Sequence, residues 1–323
     1  MSHAISTFTG EVAADHLGPT LIHEHVFVSD PELDRSLPHP EWDEQAAIEQ
    51  AVAGFDRLYE LGIRSVVDLT VPGLGRNVER VRQVAERVQI NLIASTGYYT
   101  SDVLPHYFRT HGPGRLIDGP DPLIELFVGD IENGIAGTGI RAGMLKVVSD
   151  VEGITPAVQD VFTAASVAHL QTGVPITTHS HVASAGGREQ QQLLVRLGVP
   201  LNRVIIGHSG DSVDLDYLRE LADNGSYLGF DRFGMEHVAK DDDRIRTLLS
   251  LLELDYADHI VLSHDAAFFS RVTPPSWRAR TVPHWHMENL SRRILPRLRD
   301  EGVDEATIRM LMVDNPRRVL AGS

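Results

Sequence analysis

Short runs of β-branched and other apolar residues alternate along the chain with longer stretches in which apolar residues recur every three or four positions. The short runs are typical of buried strands, and the longer stretches have the period of helices that pack one face on a core. The pattern predicts eight strands, at 20–25, 65–69, 92–96, 143–147, 175–179, 204–208, 227–230 and 259–262. Helices are predicted between them, among them 43–61, 78–88, 156–171, 188–197, 213–224, 244–252 and 287–299.

Glycines follow several of the predicted helices, as helix C-caps commonly do. They are Gly62, Gly173, Gly198 and Gly225. Regular alternation of buried strands with helices is typical of an α/β protein with parallel strands, and about eight repeats over 323 residues favour a closed (β/α)8 TIM barrel. We predict a single barrel domain over residues 1–323, with long loops at about 98–137 and 266–286. The active site of such a barrel lies at the C-terminal ends of its strands.

Composition narrows the classes of function. The chain has 29 Lys and Arg against 45 Asp and Glu, a net charge of −16, and no basic run, so we expect neither nucleic acid nor a membrane as a partner. The absence of cysteine excludes disulfides, thiolate zinc sites and cysteine nucleophiles. Neither a secretory leader nor an apolar stretch of about 18 residues is evident, so we expect a cytoplasmic location.

Histidines stand where several predicted strands end. His23 and His25 are two positions apart on the first strand, so both side chains face one side and can share a metal ion. His179 ends the fifth strand and His208 ends the sixth. A lone buried histidine is usually only hydrogen-bonded in place, and a solvent-facing pair is the other explanation for His23 and His25. Four histidines at strand ends that face one mouth favour a metal centre.

A carboxylate and a lysine extend this set. Asp265 follows the eighth strand, where it can bind a metal ion and accept a proton from water, or instead cap a following helix. Lys146 lies in the apolar fourth strand, where burial would lower the pKa of its amine. A neutral amine there can form a Schiff base or react with CO₂ to give a carbamate. A carbamate has two oxygens, as a bridge between two cations requires.

At this point the chain resembles the binuclear-metal amidohydrolase superfamily, and in detail its phosphotriesterase-like lactonase family. The resemblance covers essentially the whole chain. It rests on the segments 18–26, 67–70, 94–99, 143–146, 177–181, 206–211, 229–234 and 262–265. The resemblance implies a more buried metal ion on His23, His25 and Asp265, a more exposed ion on His179 and His208, and a bridge made by carboxylated Lys146 and a hydroxide.

The resemblance also implies roles for residues at the mouth. In similar lactonases a tyrosine after the third strand and an arginine after the seventh lie beside the more exposed metal ion. Tyr99 and Arg232 occupy those positions, with Tyr98 as the adjacent alternative. Asp265 would take the proton from the bridging hydroxide and pass it to the leaving alkoxide. The implied cofactors are two divalent ions, which His and oxygen ligands allow to be zinc, cobalt, manganese or iron.

The implied activity is hydrolysis of lactones with an acyl or alkyl tail, such as the N-acyl-homoserine lactones of quorum quenching, with weak activity on organophosphate triesters. A homodimer is also implied. The loop after Asp265 departs from the family pattern, so the preferred leaving group and acyl chain stay open. In that loop Phe268, Phe269 and Trp277 either line a groove for the acyl chain or close the barrel mouth.

Other activities remain open at this point. The chain could act mainly as an organophosphate triesterase, or as a metal-free Schiff-base lyase that uses Lys146. A mononuclear deaminase of the same superfamily would keep the histidines and Asp265 but would not need the lysine bridge. A barrel that only binds a ligand would not require polar residues at so many strand ends.

Further histidines are not expected to bind metal. His181 lies beyond the end of the fifth strand and is expected at the rim of the site. His264 points away from the side of Asp265 and is expected to be a hydrogen-bonded residue of the barrel wall. His284 and His286 form a second His-x-His pair, but they open a helical stretch rather than end a strand.

Overall fold

Each of the eight predicted strands is present in the structure, a computed structural model that describes residues 4–322. The strands are β1 (Ala4–Thr7), β2 (Gly10–Ala13), β3 (Thr20–Val28), β4 (Ser65–Asp68), β5 (Asn91–Gly97), β6 (Ala142–Val148), β7 (Ile176–His179), β8 (Val204–Ile206), β9 (Tyr227–Phe230), β10 (Ile260–Leu262) and β11 (Ala267–Ser270). The predicted strands correspond to β3 to β10, whereas β1, β2 and β11 were not predicted. All strands from β3 to β11 are parallel, in the order β10-β9-β8-β7-β6-β5-β4-β3-β11.

The barrel closes where the chain after β10 meets β3. His23 N donates to Ser263 Oγ at 3.0 Å, and Asp265 N donates to the His23 carbonyl at 3.0 Å. His25 N then donates to the Ala266 carbonyl at 2.8 Å, and β11 continues alongside β3 in parallel. The eighth strand of the barrel is therefore divided into β10 and β11 by the segment 263–266. The fold is the predicted (β/α)8 TIM barrel.

Thirteen α-helices are present within the described residues. They are α1 (Pro31–Ser36), α2 (Glu44–Glu60), α3 (Val78–Ala85), α4 (His106–Thr110), α5 (Pro122–Glu132), α6 (Pro156–Thr172), α7 (Gly186–Arg196), α8 (Leu215–Asp223), α9 (Asp241–Glu253), α10 (Pro275–Thr281), α11 (Leu295–Asp300), α12 (Glu305–Arg309) and α13 (Asn315–Ala321). π-Helical segments, Leu290–Ile294 and Met310–Asp314, precede α11 and α13. Gly173 has φ +75° and ends α6, as its predicted role as a C-cap requires.

The two segments predicted as long loops contain helices and a strand, so the prediction that they are loops throughout is wrong. The segment 98–137 contains α4 and α5, and the segment 266–286 contains β11 and α10. In α5 the buried residues Leu123, Phe127 and Ile131 recur every four positions. Asp121 caps this helix and Pro122 occupies its first turn. The Gly and Pro residues of 112–122 led to the prediction of a loop, but proline in a first turn starts a helix rather than breaking one.

An apolar cluster fills the amino-terminal part of the barrel interior. Seven strands contribute to it, through Ile22, Val67, Ile93, Met144, Ile205, Tyr227 and Val261. Ile5 of the β1–β2 hairpin belongs to the same cluster, so the hairpin packs at this end. Lys146 follows Met144 by two positions on β6 and therefore faces the same interior, nearer the carboxyl ends of the strands. Within residues 4–322 no helix combines the length and apolarity needed to span a bilayer.

Candidate metal centre

His23, His25 and Asp265 form one cluster of possible metal ligands. The Asp265 Oδ1 atom lies 3.1 Å from His25 Nε2 and 3.5 Å from His23 Nε2. The potential ligand atoms of the three residues all lie within 4.8 Å of one another. Both histidines are buried and face one side of β3, as their spacing predicted. Asp265 has φ +53°, a left-handed conformation that a non-glycine residue adopts at an energetic cost.

The Nδ1 atoms of His23 and His25, on the side of each ring away from Asp265, are hydrogen-bonded to acceptors. Thr70 donates its hydroxyl to Asp68 at 2.6 Å, so it accepts from His25 Nδ1, which lies at 2.9 Å. His23 Nδ1 lies 2.8 Å from Asp231 Oδ2. These bonds place the ring proton on Nδ1 and leave the Nε2 lone pair of each histidine available for a metal ion.

His208 and His179 form a second cluster beside the first. His208 Nε2 lies 2.9 Å from His179 Nδ1, and the two rings are nearly perpendicular. Burial lowers the pKa of His179 to about 4 and that of His208 well below the ordinary value. The opposite nitrogen of His179 lies 3.6 Å from Asp150. Neutral imidazoles of this kind are the form that binds metal ions.

Asp231 connects the two clusters and was missed from the sequence. Its Oδ2 accepts from His23 Nδ1, and its Oδ1 accepts from both the Nδ1 and the main-chain N–H of His208, each at 2.9 Å. His23, His208 and Asp231 also satisfy the spacing of a metal-ligand group. Because the Asp231 oxygens occupy the Nδ1 side of both rings, Asp231 orients the histidines instead. Its place at the end of β9, directly before Arg232, was the available signal.

Lys146 lies between the two clusters and is 1% exposed. Its Nζ is 3.4 Å from His23 Nε2 and 3.3 Å from the carbonyl of Thr178, the residue that precedes His179. Burial lowers the pKa of the amine to about 8, although Asp265 and Asp231 oppose this shift. The predicted decrease in its pKa is confirmed.

Tyr99 rather than Tyr98 faces the histidines. The Tyr99 ring centroid lies 5.9 Å from that of His179, whereas Tyr98 packs against Phe108 at 5.4 Å. Burial, followed by the charge of Asp265, raises the pKa of Tyr99 to about 12, so its hydroxyl stays protonated at neutral pH.

Comparison with known proteins identifies the family. The model described as "Phosphotriesterase family" matches residues 3–320. The chain belongs to the phosphotriesterase family. The resemblance stated above is thereby confirmed, and this family member is a hydrolase. The phosphotriesterase family is metal-dependent, and the His and Asp clusters of this chain can hold a metal ion.

Individual relatives and solved structures support the assignment to the phosphotriesterase family. A structure of the phosphotriesterase from Mycobacterium tuberculosis superposes with a TM-score of 0.95, at 41% identity and 98% coverage of both chains. An aryldialkylphosphatase from Saccharolobus solfataricus is 35% identical over 95% of this chain and 96% of its own. A structure described as organophosphate hydrolysis activity engineered from a weak promiscuous lactonase template superposes with a TM-score of 0.88, at 34% identity, covering 99% of this chain and 100% of that one.

Arg232 connects the metal centre of this phosphotriesterase family member to its mouth. Its Nε donates to Asp265 Oδ2 at 3.3 Å, and its Nη1 donates to Asp211 at 3.1 Å. Arg244 donates in turn to the same Asp211 carboxylate at 2.6 Å. A cleft of about 580 Å³ opens here, lined among others by His179, Asp211 and Arg232.

The remaining predicted residues lie around the site. His181 is half-buried at the rim and bonds to Ser184 at 3.0 Å. His264 is completely buried in the wall, as predicted, 2.6 Å from Glu24.

The aromatic residues of the last loop mostly pack away from the cleft. Phe268 packs outward on Phe55 of α2, with ring centroids 4.8 Å apart. Phe269 packs on Trp42 at 4.6 Å. Neither phenylalanine lines the cleft beside His179 and Arg232, so the predicted role in lining a groove there is not seen.

Proposed function

We propose that the chain is a binuclear metal-dependent hydrolase that opens lactones bearing an acyl or alkyl tail and has weak activity on phosphotriesters. The observation that carries the proposal is the convergence of His, Asp and Lys side chains from six strand ends on one mouth. In this proposal His23, His25 and Asp265 would hold one ion, His179 and His208 would hold the other, and carboxylated Lys146 would supply oxygen ligands to both. Two such ions would lower the pKa of a shared water and polarise the oxygen of the substrate.

The donor set fits this group of ions. Four imidazoles and one carboxylate supply nitrogen and oxygen ligands, which suit zinc, cobalt, manganese and iron. Hydrogen bonds from the Nδ1 atoms of His23 and His25 already set the ring orientation that ligation through Nε2 requires. The lowered pKa of Lys146 keeps a fraction of its amine neutral near pH 7, as reaction with CO₂ requires.

Asp265 is proposed to move the proton in this reaction. Its Oδ1 faces His23 and His25, while its Oδ2 stays hydrogen-bonded to Arg232. Water adds to the lactone carbonyl carbon, and Asp265 accepts the proton that the water loses. When the ring C–O bond breaks, the same proton passes to the departing alkoxide. Arg232 fixes the orientation of the carboxylate through these steps.

Tyr99 is proposed to stabilise the departing oxygen. Its ring lies at the edge of His179, and its raised pKa keeps a proton on the hydroxyl. A protonated hydroxyl can donate a hydrogen bond to the developing alkoxide. An alkoxide needs this help more than the stable phenolate released from an aryl phosphotriester.

The mouth cleft supports a substrate with an apolar tail. Val182, Val213 and Val238 line it together with the polar groups, and its volume of about 580 Å³ lies in the usual range for small-molecule sites. Phosphotriester hydrolysis is the second candidate, because the aryldialkylphosphatase relative carries that activity in its name.

The decisive experiment is a substrate panel on enzyme of measured metal content. It compares N-acyl-homoserine lactones and alkyl-substituted lactones of increasing chain length with an aryl dialkyl phosphate. We expect kcat/KM for the best tailed lactone to exceed that for the phosphotriester by at least about 100-fold, or about 2.7 kcal/mol. A preference for the phosphotriester would instead make the chain an organophosphate triesterase. Activity without metal, with borohydride trapping at Lys146, would identify a Schiff-base lyase.

The homodimer is also a proposal. Four apolar side chains between positions 103 and 117, those of Val103, Tyr107, Leu116 and Ile117, are more than half exposed. Exposed apolar groups of this kind are typical of protein interfaces. Sedimentation of the native chain and of Leu116→Asp would test whether this segment holds two copies together.

A further inference from the structure

A second cleft lies on the outside of the barrel and shares no lining residue with the mouth cleft. It has a volume of about 540 Å³ and lies between α2, β11, α10 and the segment 282–292. Its apolar lining includes Leu58, Phe268, Val282 and Met287. Nothing in the proposed reaction uses this cleft.

Arg278 is the unusual residue in the lining. It is 8% exposed, and it donates to the main-chain carbonyls of Ala267 and Phe268. Its Nε–H has no hydrogen-bond acceptor, and it forms no ion pair within residues 4–322. Burial lowers its pKa to about 10. Glu41 opposes this shift at longer range, without forming an ion pair, and the guanidinium carbon lies 5.8 Å from the centroid of the Trp285 ring. An anion in the cleft would offset the remaining cost of the buried charge.

The single carboxylate in the lining is already paired. Glu288 accepts from Arg57 Nε at 2.8 Å and from Arg292 Nε at 2.6 Å, so it does not neutralise Arg278. Three arginines and one glutamate give the lining a net charge of +2, in a chain whose net charge is −16. The cleft is therefore a local positive site on an acidic protein, and it attracts anions.

His286 supplies a second free donor. Its Nδ1 accepts from the main-chain N–H of Glu288 at 3.3 Å, which places the ring proton on Nε2. Among the described residues nothing accepts a hydrogen bond from this Nε2. Arg278 and His286, each with an N–H group that has no acceptor among the described residues, thus line one cleft together.

We infer that this cleft binds an aliphatic carboxylate, with the carboxylate on Arg278 and His286 and the chain against the apolar lining. A carboxylate has two oxygens for the N–H groups of Arg278 and His286, and unlike inorganic phosphate it can carry an alkyl chain that lies against the apolar lining. Phe268, Pro275 and Pro283 keep part of their surface exposed in the cleft and can cover an alkyl chain of several carbons. The inference is independent of the proposed function, because it uses none of the residues assigned to the reaction.

Calorimetry of metal-loaded enzyme with octanoate tests the inference. Octanoate should bind saturably. Acetate and inorganic phosphate lack the alkyl chain and 1-octanol lacks the negative charge, so each should bind at least about tenfold more weakly, a difference of about 1.4 kcal/mol. Phosphate or acetate binding as tightly as octanoate would overturn the assignment of the ligand class.

Variants locate the octanoate site. Arg278→Gln should weaken octanoate binding at least about tenfold. Ala279→Trp should do the same by filling the cleft from an exposed position on α10 while leaving Arg278 in place. The matched control is Arg203→Gln, because Arg203 is also a partly buried arginine that donates to main-chain carbonyls, but it lies in another cleft. Octanoate binding that survives in both cleft variants would refute the inference.

Discussion

The Glu24 carboxylate lies 2.6 Å from Nδ1 of His264, and both side chains are completely buried. The same carboxylate accepts from Ser263 Oγ at 2.7 Å and from the main-chain N–H of Ala266 at 2.9 Å. Glu24 therefore ties the segment that carries Asp265 to β3, where the barrel closes. The residue between two proposed metal ligands thus positions the backbone of a third.

Glu24→Gln should destabilise the fold. The amide would present an N–H group to one of the buried donors that Glu24 now accepts, which leaves that donor unsatisfied. We expect a loss of roughly 2 to 4 kcal/mol in the free energy of unfolding, measured by urea denaturation. The matched control is Glu253→Gln, at an exposed position of α9, which should change stability by less than about 0.5 kcal/mol. Equal effects of the two substitutions would contradict the role of Glu24.

Asp231→Asn should weaken metal binding at both clusters. An asparagine can accept from only one of the two histidine Nδ1 atoms, so the other ring must move its proton to Nε2 and lose the lone pair for the metal. We expect metal affinity to fall about 10- to 100-fold, measured by competition with a chelator. Asp160→Asn, at a half-buried aspartate of α6 that pairs with Arg115, should leave that affinity unchanged. An unchanged affinity in Asp231→Asn would show that the histidines are held by other contacts.

Lys146→Ala should lower the metal content from about two ions per chain to one or fewer, because the proposed bridge is lost. Elemental analysis measures this content, and circular dichroism should show an intact fold. In the native chain, ¹³CO₂ should label a carbamate carbon visible by NMR, and the label should be absent from the variant. Added acetate or propionate should restore part of the activity. Full activity and two bound ions without any added carboxylate would exclude the bridge.

Tyr99→Phe should separate the two candidate substrates. We expect kcat/KM for lactones to fall about 10- to 1,000-fold, or about 1.4 to 4 kcal/mol, and that for an aryl phosphotriester to fall much less. Tyr98→Phe is the matched control, because its ring packs on Phe108 instead of His179. Equal losses on both substrates would mean that Tyr99 only shapes the cleft.

Tyr217 should make the fold sensitive to alkaline pH. Burial raises its pKa to about 12 from the ordinary 10.0, and the side chain is 2% exposed. As pH rises above 10 the unfolded chain loses this proton first, so the free energy of unfolding falls between pH 10 and 12, by at most about 1.4 kcal/mol per pH unit. Urea denaturation should show the stability advantage over Tyr217→Phe shrinking across this range. Tyr107→Phe, at an exposed tyrosine, gives the reference, and a parallel pH dependence in the two variants would contradict the assignment.

The local pattern of apolar and polar residues was sufficient to predict the strands of the barrel. All eight predicted strands are present, because strands buried on both faces are continuous apolar runs that the sequence shows directly. The histidines His23, His25, His179 and His208 were found for a related reason: parallel strands of one barrel bring their carboxyl ends to one mouth, whatever the details of packing. The pKa of Lys146 followed from its apolar neighbours alone.

Only the tertiary structure decided the contacts that hold those residues in place. Glu24 and His264 are 240 positions apart, and His23 and Asp231 are 208 apart, so no local pattern could pair them. Strand β11 and helix α5 were missed because proline- and glycine-rich neighbours hid their short patterns. Between Tyr98 and Tyr99 the sequence offered no difference, since adjacent residues of one type are separated only by the neighbours each meets when the chain folds.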